Sequence, residues 1–327
     1  MPETLPHDPL HLKQTLFIIN PASARGATLR AWADARKEIV AAGVSFEEHV
    51  TTHAGEATEV TREALKIGVA RIVAVGGDGT LSEVVNGYFD CGRAINSDAA
   101  IGLLPSGTGS DFRRSLGLTS RSDSIRALIS SKTRLLDVAR ADFQGQHGDS
   151  ASRTFINVAS FGLGGDVSAV VNKWRESLPR WIGGSARFAA AAIAALGRYK
   201  NVSVSLRLDE RAMTINSNLI VVANGRFAGG GMMLAPHAEL DDGLLDVIVT
   251  DGATRLDVIR ELPRIQRGAH LKNPRVSEMR AREVSIETEE PMAIDLDGEM
   301  VGFTPAQLGV LPSAIRFLGQ GRMMGDG

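Results

Sequence analysis

The sequence predicts a mixed α/β protein with a doubly wound parallel sheet in its N-terminal part and a mostly antiparallel β domain after it. In the first part, short apolar runs such as residues 72–75 alternate with amphipathic helical segments, the rhythm of a parallel sheet covered by helices. Glycine-rich turns follow two of these runs, at the strand ends where such folds place ligands. From about Leu135 the strand-like segments are short and separated by turns, which indicates antiparallel pairing.

Size and composition narrow the class of protein. The chain has 327 residues, enough for about two domains. Its net charge of −2 provides no general attraction for nucleic acid, so no nucleic-acid partner is expected. Its one cysteine, Cys91, excludes an internal disulfide framework and favours a reducing compartment. The longest apolar run, 188–196, has nine residues, whereas a spanning helix needs roughly 20. We therefore expect a soluble or peripheral protein.

The N-terminal elements follow one another in the order expected of a parallel sheet. Strands are predicted at 16–19, 44–50, 72–75 and 101–104, and helices at 29–42 and 56–68. In the β domain, strand-like segments are predicted at 135–141, 154–160, 202–208, 218–223, 244–249 and 284–287, with one helical region at 167–200.

The central glycine loop joins the strand at 72–75 to a helix. Residues 80–83 have the Ser/Thr-x-x-Glu pattern of a capping box and are predicted to begin that helix. Glycines in a strand-to-helix turn let a ligand approach the backbone, and a helix N-terminus offers free N–H groups to an anion. Asp78 would repel a phosphate unless a cation or a hydroxyl lies between them. The loop therefore suits a phosphate with a metal ion, although a turn that only packs helix on strand remains an alternative.

A second glycine loop, 105–112, follows the strand at 101–104 and is expected to face the first loop. Neither loop matches a Walker A motif, because the chain contains no Gly-Lys pair, and neither matches GxGxxG. If the protein binds a nucleotide, it does so by another kind of loop.

Acidic residues beside glycine turns are the informative feature of the β domain. Asp242 precedes such a turn, and a carboxylate with backbone carbonyls can bind a hard cation, although an ordinary Asp-Gly turn is the alternative. Asp295, Asp297 and Glu299 are predicted to share one face of an extended strand. Three like charges on one face are unfavourable without a cation or a function.

One segment suggests contact with a membrane. Trp174, Trp181 and Phe188 recur every seven residues with arginines between them, a pattern that suits an interfacial segment. A helix packed on its own β domain is the alternative.

Seven motifs occur in the order found in one family: Asn20-Pro21 with Ser23, Thr51 four residues before Gly55, GGDGT, PSGTGSDF, NGRFAGGGM, APHAELDDGLLD and LDGE. As a set they resemble the bacterial lipid kinase family with the diacylglycerol kinase catalytic domain, which includes the YegS-like lipid kinases, and the resemblance spans nearly the whole chain. NAD kinases share GGDGT but not the later segments. Two features depart from the family pattern: Ser110 stands where an Asn is usual, and the first loop, ASARG, is unusually spaced.

The resemblance implies a nucleotide-binding α/β domain at 14–135, completed by about 305–320, and a β-sandwich domain at 136–304. It also implies a lipid kinase that uses ATP and Mg²⁺ to transfer the γ-phosphoryl group to a lipid hydroxyl. Such a protein is expected in the cytoplasm, working on a lipid at the inner face of the membrane.

Site residues follow from the resemblance by position. It implies that the nucleotide is held by Asn20, Pro21, Ala22, Ser23, Ala24, Thr51, Gly76, Gly77, Asp78, Gly79, Thr80, Leu81, Ser82 and Thr108. A structural Mg²⁺ is implied at Asp242 with the carbonyls of Glu239 and Leu244. Asp297 or Glu299 is implied as proton acceptor, and Arg114 lies at a position suited to an anionic headgroup.

Two other functions compete with this interpretation: a kinase for a soluble hydroxyl substrate such as NAD, and a non-catalytic nucleotide-responsive protein. Intact Asp78, Asp242 and Asp297 argue against the second, since an inactive protein need not keep them. The sequence leaves open which lipid is phosphorylated and whether the protein forms a homodimer.

Overall fold

The computed structural model describes residues 15–106, 110–118, 120–174, 184–198 and 200–319. The chain divides into two compact units. The first unit comprises Met1–Thr108, Leu118–Leu136 and Ala314–Gly327, and the second comprises Gly109–Gly117 and Asp137–Ser313.

The strands are β1 (Thr15–Ile19), β2 (Phe46–Val50), β3 (Arg71–Gly76), β4 (Phe89–Asp90), β5 (Arg93–Ala94), β6 (Ala100–Pro105), β7 (Thr133–Gly145), β8 (Ser150–Phe155), β9 (Val158–Gly162), β10 (Val202–Leu208), β11 (Arg211–Ser217), β12 (Leu219–Ala223), β13 (Phe227–Ala228), β14 (Met232–Met233), β15 (Leu245–Thr250), β16 (Val276–Ala281), β17 (Glu283–Thr288), β18 (Ala293–Leu296) and β19 (Glu299–Leu318). The α-helices are α1 (Thr28–Ala41), α2 (Glu56–Lys66), α3 (Asp78–Tyr88), α4 (Asp111–Ser115), α5 (Arg121–Ser130), α6 (Leu163–Trp174), α7 (Gly184–Ala195) and α8 (Arg255–Ile265).

The first unit is built on a parallel sheet. Its strand order is β2-β1-β3-β6, and the last residues of β19, Arg316 and Phe317, pair in parallel with β6. The inner strands β1, β3 and β6 are almost entirely buried because helices cover the sheet, whereas the edge strand β2 is largely exposed. Trp32 of α1 and Ile125 of α5 pack on one side of the sheet. The chain moves from β1 outward to β2 and then back past β1 to β3, so the sheet has a switch point between β1 and β3.

The second unit is antiparallel throughout its described pairings. One run of strands has the order β16-β15-β12-β9-β18-β19, and β10 pairs with both β11 and β17. Side chains from these strands form one large core that includes Phe155, Phe161 and Ile286. Helix α6 lies close against β18, because a Cβ on Gly165 would come within 2.8 Å of the Ala293 backbone. The predicted fold class is confirmed for both parts of the chain.

Two segments that the sequence predicts for the first domain belong to the second unit. They are residues 109–117 and residues 305–313 of β19. Hydrogen bonds explain the assignment of 109–117. Asp111 Oδ2 accepts from the N–H of Gly230 at 2.7 Å, and Ser115 Oγ accepts from the N–H of Arg226 at 3.1 Å.

The structure tests the suggested interfacial segment only at its beginning. Trp174 is partly buried against the apolar cluster formed by α6 and α7. Trp181 and the Phe188 side chain lie outside the described residues. Within the described part of the chain, no helix is long and apolar enough to cross a membrane.

Candidate active site

The carboxyl ends of β1, β2 and β3 bring several of the predicted nucleotide residues together. The N–H of Asn20 donates to Val75 O at 3.0 Å, and that of Thr51 donates to Ile19 O at 2.9 Å. Asn20 Nδ2 then donates to Thr80 Oγ1 at 3.1 Å. Ser23 Oγ lies 3.3 Å from the same Thr80 oxygen. Residues from the loop after β1 and from α3 therefore share one network at the switch point of the sheet.

Glycine is required at the end of β3 by this network. A Cβ on Gly76 would lie 2.3 Å from Thr80 Oγ1 and 3.1 Å from Ser23 Oγ, so any larger residue would displace both hydroxyls. The other two glycines of the loop serve differently. A Cβ on Gly77 or Gly79 would meet nothing within 4 Å, so these residues leave space open at the N-terminus of α3. An anion at a helix N-terminus needs such backbone exposure.

The predicted capping box at 80–83 is wrong. Helix α3 begins at Asp78, its N-cap is Gly77, and no side chain caps it. Thr80 is already inside the helix and its hydroxyl is engaged by Asn20 and Ser23, while Glu83 accepts from the N–H of Ala57. This N-terminus therefore has no side-chain cap, and the first N–H groups of a helix have no partner within the helix itself.

The loop after β1 is held by the start of α1. The hydroxyl of Thr28 donates to Ser23 O at 2.8 Å, and its oxygen lies within hydrogen-bond distance of Ser106 Oγ at 2.9 Å, so Thr28 ties the 3₁₀ turn Ser23–Gly26 to the end of β6. Asn20 Oδ1 accepts from the N–H of Ala22 at 3.0 Å, which orients the Asn20 amide. Sequence reasoning missed Thr28, whose hydroxyl gives no signal until β6 is brought beside α1.

Other predicted nucleotide residues stand in different environments. Asp78 is the first residue of α3, at the open N-terminus. The Leu81 side chain is fully buried in the core, so only its backbone faces the loop. Ser82 and Thr51 are also buried, and the Thr51 hydroxyl donates to Ile19 O at 3.3 Å. Thr108 lies outside the described residues.

In the second unit, the three carboxylates at 295, 297 and 299 do not share a face of one strand, and that prediction is wrong. Leu296 pairs with Glu299, so Asp297 and Gly298 form a two-residue hairpin turn between β18 and β19. Both turn residues have positive φ, 51° and 93°, which is the requirement of a type I′ turn and suits Asp-Gly. Asp295 therefore lies in β18, Asp297 in the turn and Glu299 at the start of β19, so the three carboxylates have different surroundings.

Asp297 is held by the backbone of the segment between β8 and β9. Its Oδ1 accepts from the N–H groups of Asn157 at 2.9 Å and Val158 at 3.0 Å, and its Oδ2 accepts from Ile156 at 2.9 Å. Its side chain is half-buried. Burial raises the pKa of Asp297 to about 6, against the lowering effect of the three N–H bonds. The carboxyl is thus fixed in orientation and titrates close to neutral pH.

Asp295 is a buried acid to which the sequence assigned no individual role. Its Oδ1 accepts from the Gly298 N–H at 3.2 Å and lies 3.5 Å from the Ser160 hydroxyl. Its Oδ2 is buried with no partner at hydrogen-bond distance, although the Ser168 hydroxyl is near enough to oppose the effect of burial on the pKa. Burial raises the pKa of Asp295 to about 7, and the Asp297 and Glu299 charges add to the rise. The alternating acidic pattern contained this residue, but only the sheet reveals its burial.

Glu299 is the exposed member of the group. Its side chain is 47% exposed and its Oε2 lies 2.7 Å from Arg153 Nη1. A carboxylate in this position is solvated and already paired with a cation.

Asp242, the predicted metal ligand, lies among other charged groups. Its Oδ1 accepts from the Leu244 N–H at 3.0 Å and its Oδ2 lies 3.6 Å from Arg280 Nη1. Burial raises its pKa, and the nearby carboxylates of Glu239 and Asp137 add to the rise. Among the described residues, no three His, Cys, Asp or Glu side chains converge as a metal site. A carboxylate crowded by like charges beside a glycine turn still has the oxygen chemistry that suits Mg²⁺, if carbonyls supply the other ligands.

Arg114 is positioned by the glycine-rich stretch at 229–231. Its Nη1 lies 3.3 Å from Asp111 Oδ1. A Cβ on Gly231 would lie 2.0 Å from Arg114 Nη1, so glycine makes room for the guanidinium. Ser110, which stands where the similar family usually has Asn, caps α4: its hydroxyl accepts from the Arg113 N–H at 3.3 Å.

Asn224, the first residue of the NGRFAGGGM motif, holds the backbone segment that binds Asp297. Asn224 is fully buried, and its amide donates to Ile156 O at 2.8 Å and to Asp137 O at 3.2 Å. The same Ile156 donates its N–H to Asp297. Asn224 therefore fixes the peptide segment that orients the Asp297 carboxylate.

The switch-point loops of the first unit have the form that α/β proteins use to bind anionic ligands at strand-to-helix turns. Comparisons with known proteins refine this class. Residues 14–141 match the model of the diacylglycerol kinase catalytic domain, and residues 157–319 match that of the YegS C-terminal NAD kinase beta sandwich-like domain.

Relatives agree over almost the whole chain. A protein of Chromohalobacter salexigens named "Probable lipid kinase YegS-like" is 30% identical over 93% of both chains. The diacylglycerol kinase of Bacillus subtilis is 29% identical over 90% of this chain and 93% of its own. The chain belongs to the bacterial diacylglycerol kinase and YegS-like lipid kinase family.

Solved structures show the same fold. The crystal structure of a diacylglycerol kinase from Bacillus anthracis superposes with a TM-score of 0.68 at 21% identity, covering 94% of this chain and 97% of that one. Yeast NADH kinase complexed with NADH gives a TM-score of 0.50 at 10% identity, covering 94% of this chain and 84% of that one.

Proposed function

We propose that the protein is an ATP- and Mg²⁺-dependent lipid kinase that transfers the γ-phosphoryl group to a lipid hydroxyl. Membership of the family supports the general class, a kinase. The single observation that carries the proposal is the glycine cradle at the end of β3. There Gly77 and Gly79 leave space over an uncapped helix N-terminus, beside the network of Asn20, Ser23 and Thr80.

The first unit would hold the phosphates of ATP. The N–H groups at the start of α3 attract negative charge, and the Asn20 amide and Ser23 hydroxyl are oriented by their bonds to Thr80. Asp78 stands where its carboxylate would repel a phosphate, so we assign it to Mg²⁺ or its waters. When bound, Mg²⁺ supplies neutralisation of the phosphate charge, which is the main requirement of phosphoryl transfer.

We assign proton acceptance from the lipid hydroxyl to Asp297. A general base must be oriented and must titrate near the working pH. Three backbone N–H bonds orient this half-buried carboxyl, and its pKa is raised to about 6. Glu299 is more exposed and is neutralised by Arg153, which suits a group that orients or screens.

Two further roles follow from the second unit. Asp242, with carbonyls of Glu239 and Leu244, would hold a structural Mg²⁺ that offsets the crowded carboxylates there. Arg114 would contact an anionic headgroup, since its guanidinium is only partly exposed and is anchored by Asp111.

Incubation with radiolabelled ATP and a mixture of dispersed lipids, followed by organic extraction, tests the proposal. Label in the organic phase is expected, and Asp78→Asn should remove it. The same reaction with NAD as acceptor addresses the competing substrate. Label that stays in the aqueous phase on NAD, with none on lipid, would replace the lipid by a soluble acceptor.

A further inference from the structure

The outer surface of helices α7 and α8 gathers the exposed apolar side chains of the second unit. Among that unit's described residues, three large hydrophobic side chains are exposed: Ile193 (56%), Leu256 (51%) and Ile259 (44%). The first lies on α7 and the other two lie one turn apart on α8. We call the exposed faces of these two helices the α7/α8 surface.

Helices α7 and α8 are connected at two places. On their inner sides, Ala192 of α7 and Val258 of α8 pack into the same apolar cluster. At the ends, Arg255 Nη2 donates to Gly197 O at 3.3 Å, which joins the start of α8 to the residues just after α7. The exposed side chain of Ile193 and those of Leu256 and Ile259 therefore stand on helices that share one inner cluster.

The charge of this face is positive. Helix α8 and the turn after it expose Arg260, Arg264 and Arg267. The two acids of α8 are paired: Asp257 caps the helix through Thr254 and pairs with Arg275, and Glu261 is buried and bonded to Arg264 and Asn273. Glu261 offsets the charge of Arg264, so the positive charge of the face rests mainly on Arg260 and Arg267. The outer face of α8 thus combines apolar and cationic side chains although the whole chain has a net charge of −2.

We propose that the α7/α8 surface docks the protein on an anionic phospholipid membrane. Apolar side chains flanked by arginines match the boundary between acyl chains and negative headgroups. A second copy of the chain suits the surface less well, because a twofold interface buries the same patch of both copies and would bring the arginines of both into one interface. The inference deepens the proposed function by naming the surface through which the enzyme meets its lipid, and it rests on that function for the choice of a membrane.

Vesicle sedimentation with the full chain tests the docking. Vesicles of phosphatidylcholine mixed with phosphatidylglycerol should sediment the protein, and vesicles of phosphatidylcholine alone should do so weakly. Replacing Arg260 and Arg267 together by Gln should weaken binding roughly 30-fold, since each arginine near an anionic surface contributes roughly fivefold. Leu256→Asp should weaken it about tenfold or more.

Matched controls lie on α1 of the first unit. Leu29 is 47% exposed and, like Leu256, is the second residue of its helix, so Leu29→Asp tests the general effect of the substitution. Arg30→Gln is the matching loss of an exposed arginine. Both should bind the mixed vesicles as the wild type does. Equal binding by the α8 variants and these controls would overturn the proposal, and so would conversion of a wild-type dimer to a monomer by Leu256→Asp without loss of vesicle binding.

Thermal melting guards against a folding artefact. If Leu256→Asp lowers the melting temperature, the test of docking rests on the double variant of Arg260 and Arg267, which alters only exposed side chains. Phosphorylation of a short-chain lipid dissolved below its critical micelle concentration separates the two proposals. Phosphorylation of that lipid with unchanged vesicle binding in the α8 variants refutes only the docking. Vesicle binding that depends on α8, with no phosphorylation of any lipid, refutes only the kinase assignment.

Discussion

The buried Asp295 predicts an unusual dependence of stability on pH. Asp295→Asn keeps the shape of the side chain and its accepting oxygen, which can still receive the Gly298 N–H, but removes the charge. In the folded protein the pKa of Asp295 is raised from 3.8 to about 7 by burial. A carboxyl with a raised pKa contributes stability that is fully present below its unfolded pKa and is lost as pH rises through its folded pKa.

The size of the effect follows from the two pKa values. A rise from 3.8 to about 7 corresponds to roughly 4 kcal/mol of lost stability between acidic and mildly alkaline pH, at about 1.4 kcal/mol per pH unit. The amide introduced by Asp295→Asn places an NH₂ where Oδ2 is buried without a partner, which costs about 1–3 kcal/mol at every pH. The substitution should therefore destabilise the protein at low pH and become neutral or stabilising at high pH.

Urea unfolding followed by circular dichroism at about pH 5 and about pH 8 measures this contribution. The loss of unfolding free energy from the lower to the higher pH should be smaller in Asp295→Asn than in the wild type, by roughly 2–4 kcal/mol. Asp142→Asn, at a half-exposed acid of the same unit, should leave the loss as it is in the wild type. An identical pH dependence in Asp295→Asn and the wild type would refute the argument that burial holds this carboxyl neutral.

Three further predictions concern the proposed nucleotide, metal and proton sites. Gly79→Ala should fold normally, since its Cβ meets nothing, yet raise KM for ATP at least about tenfold by occupying the phosphate space; Gly319→Ala, equally unobstructed, is the control, and an unchanged KM would contradict the cradle. Asp242→Ala should abolish the rise in melting temperature that Mg²⁺ gives relative to EDTA; a rise equal to that of the wild type would exclude this ligand. Asp297→Asn should lower kcat about 10²–10⁴-fold with KM for ATP nearly kept, and Glu299→Gln should lower it less; the reverse order in steady-state kinetics would exchange their roles.

The anion loop could be predicted from the sequence because its determinants are local. A buried strand, a glycine turn and a helix N-terminus lie within 71–88, so composition alone indicates their order. The start of the helix could not be predicted correctly, because the Thr80 hydroxyl bonds to Asn20, 60 residues away in sequence. A capping rule uses only neighbouring residues and therefore does not include the contact with Asn20.

For the acidic residues at 295–299, the sequence predicted a special role but not the local backbone structure. The pattern predicted that the carboxylates at 295–299 have a function, but it also predicted that they share one face of a strand, which is wrong. Asp-Gly prefers the positive φ of a hairpin turn, and the pairing of β18 with β19 allowed that preference to prevail.

By itself, the sequence determined the α/β and β classes, the position of the glycine loops and the family, because these depend on periodicity and on motifs in order. Only the tertiary structure decided that Asp295 is buried, that Asp297 is held by the backbone at 156–158, and that Glu299 pairs with Arg153. The contacts of Asp297 and Glu299 join residues about 140 positions apart in the chain. Burial and hydrogen-bond partners over such separations come from strand pairing and packing, for which the local sequence carries no signal.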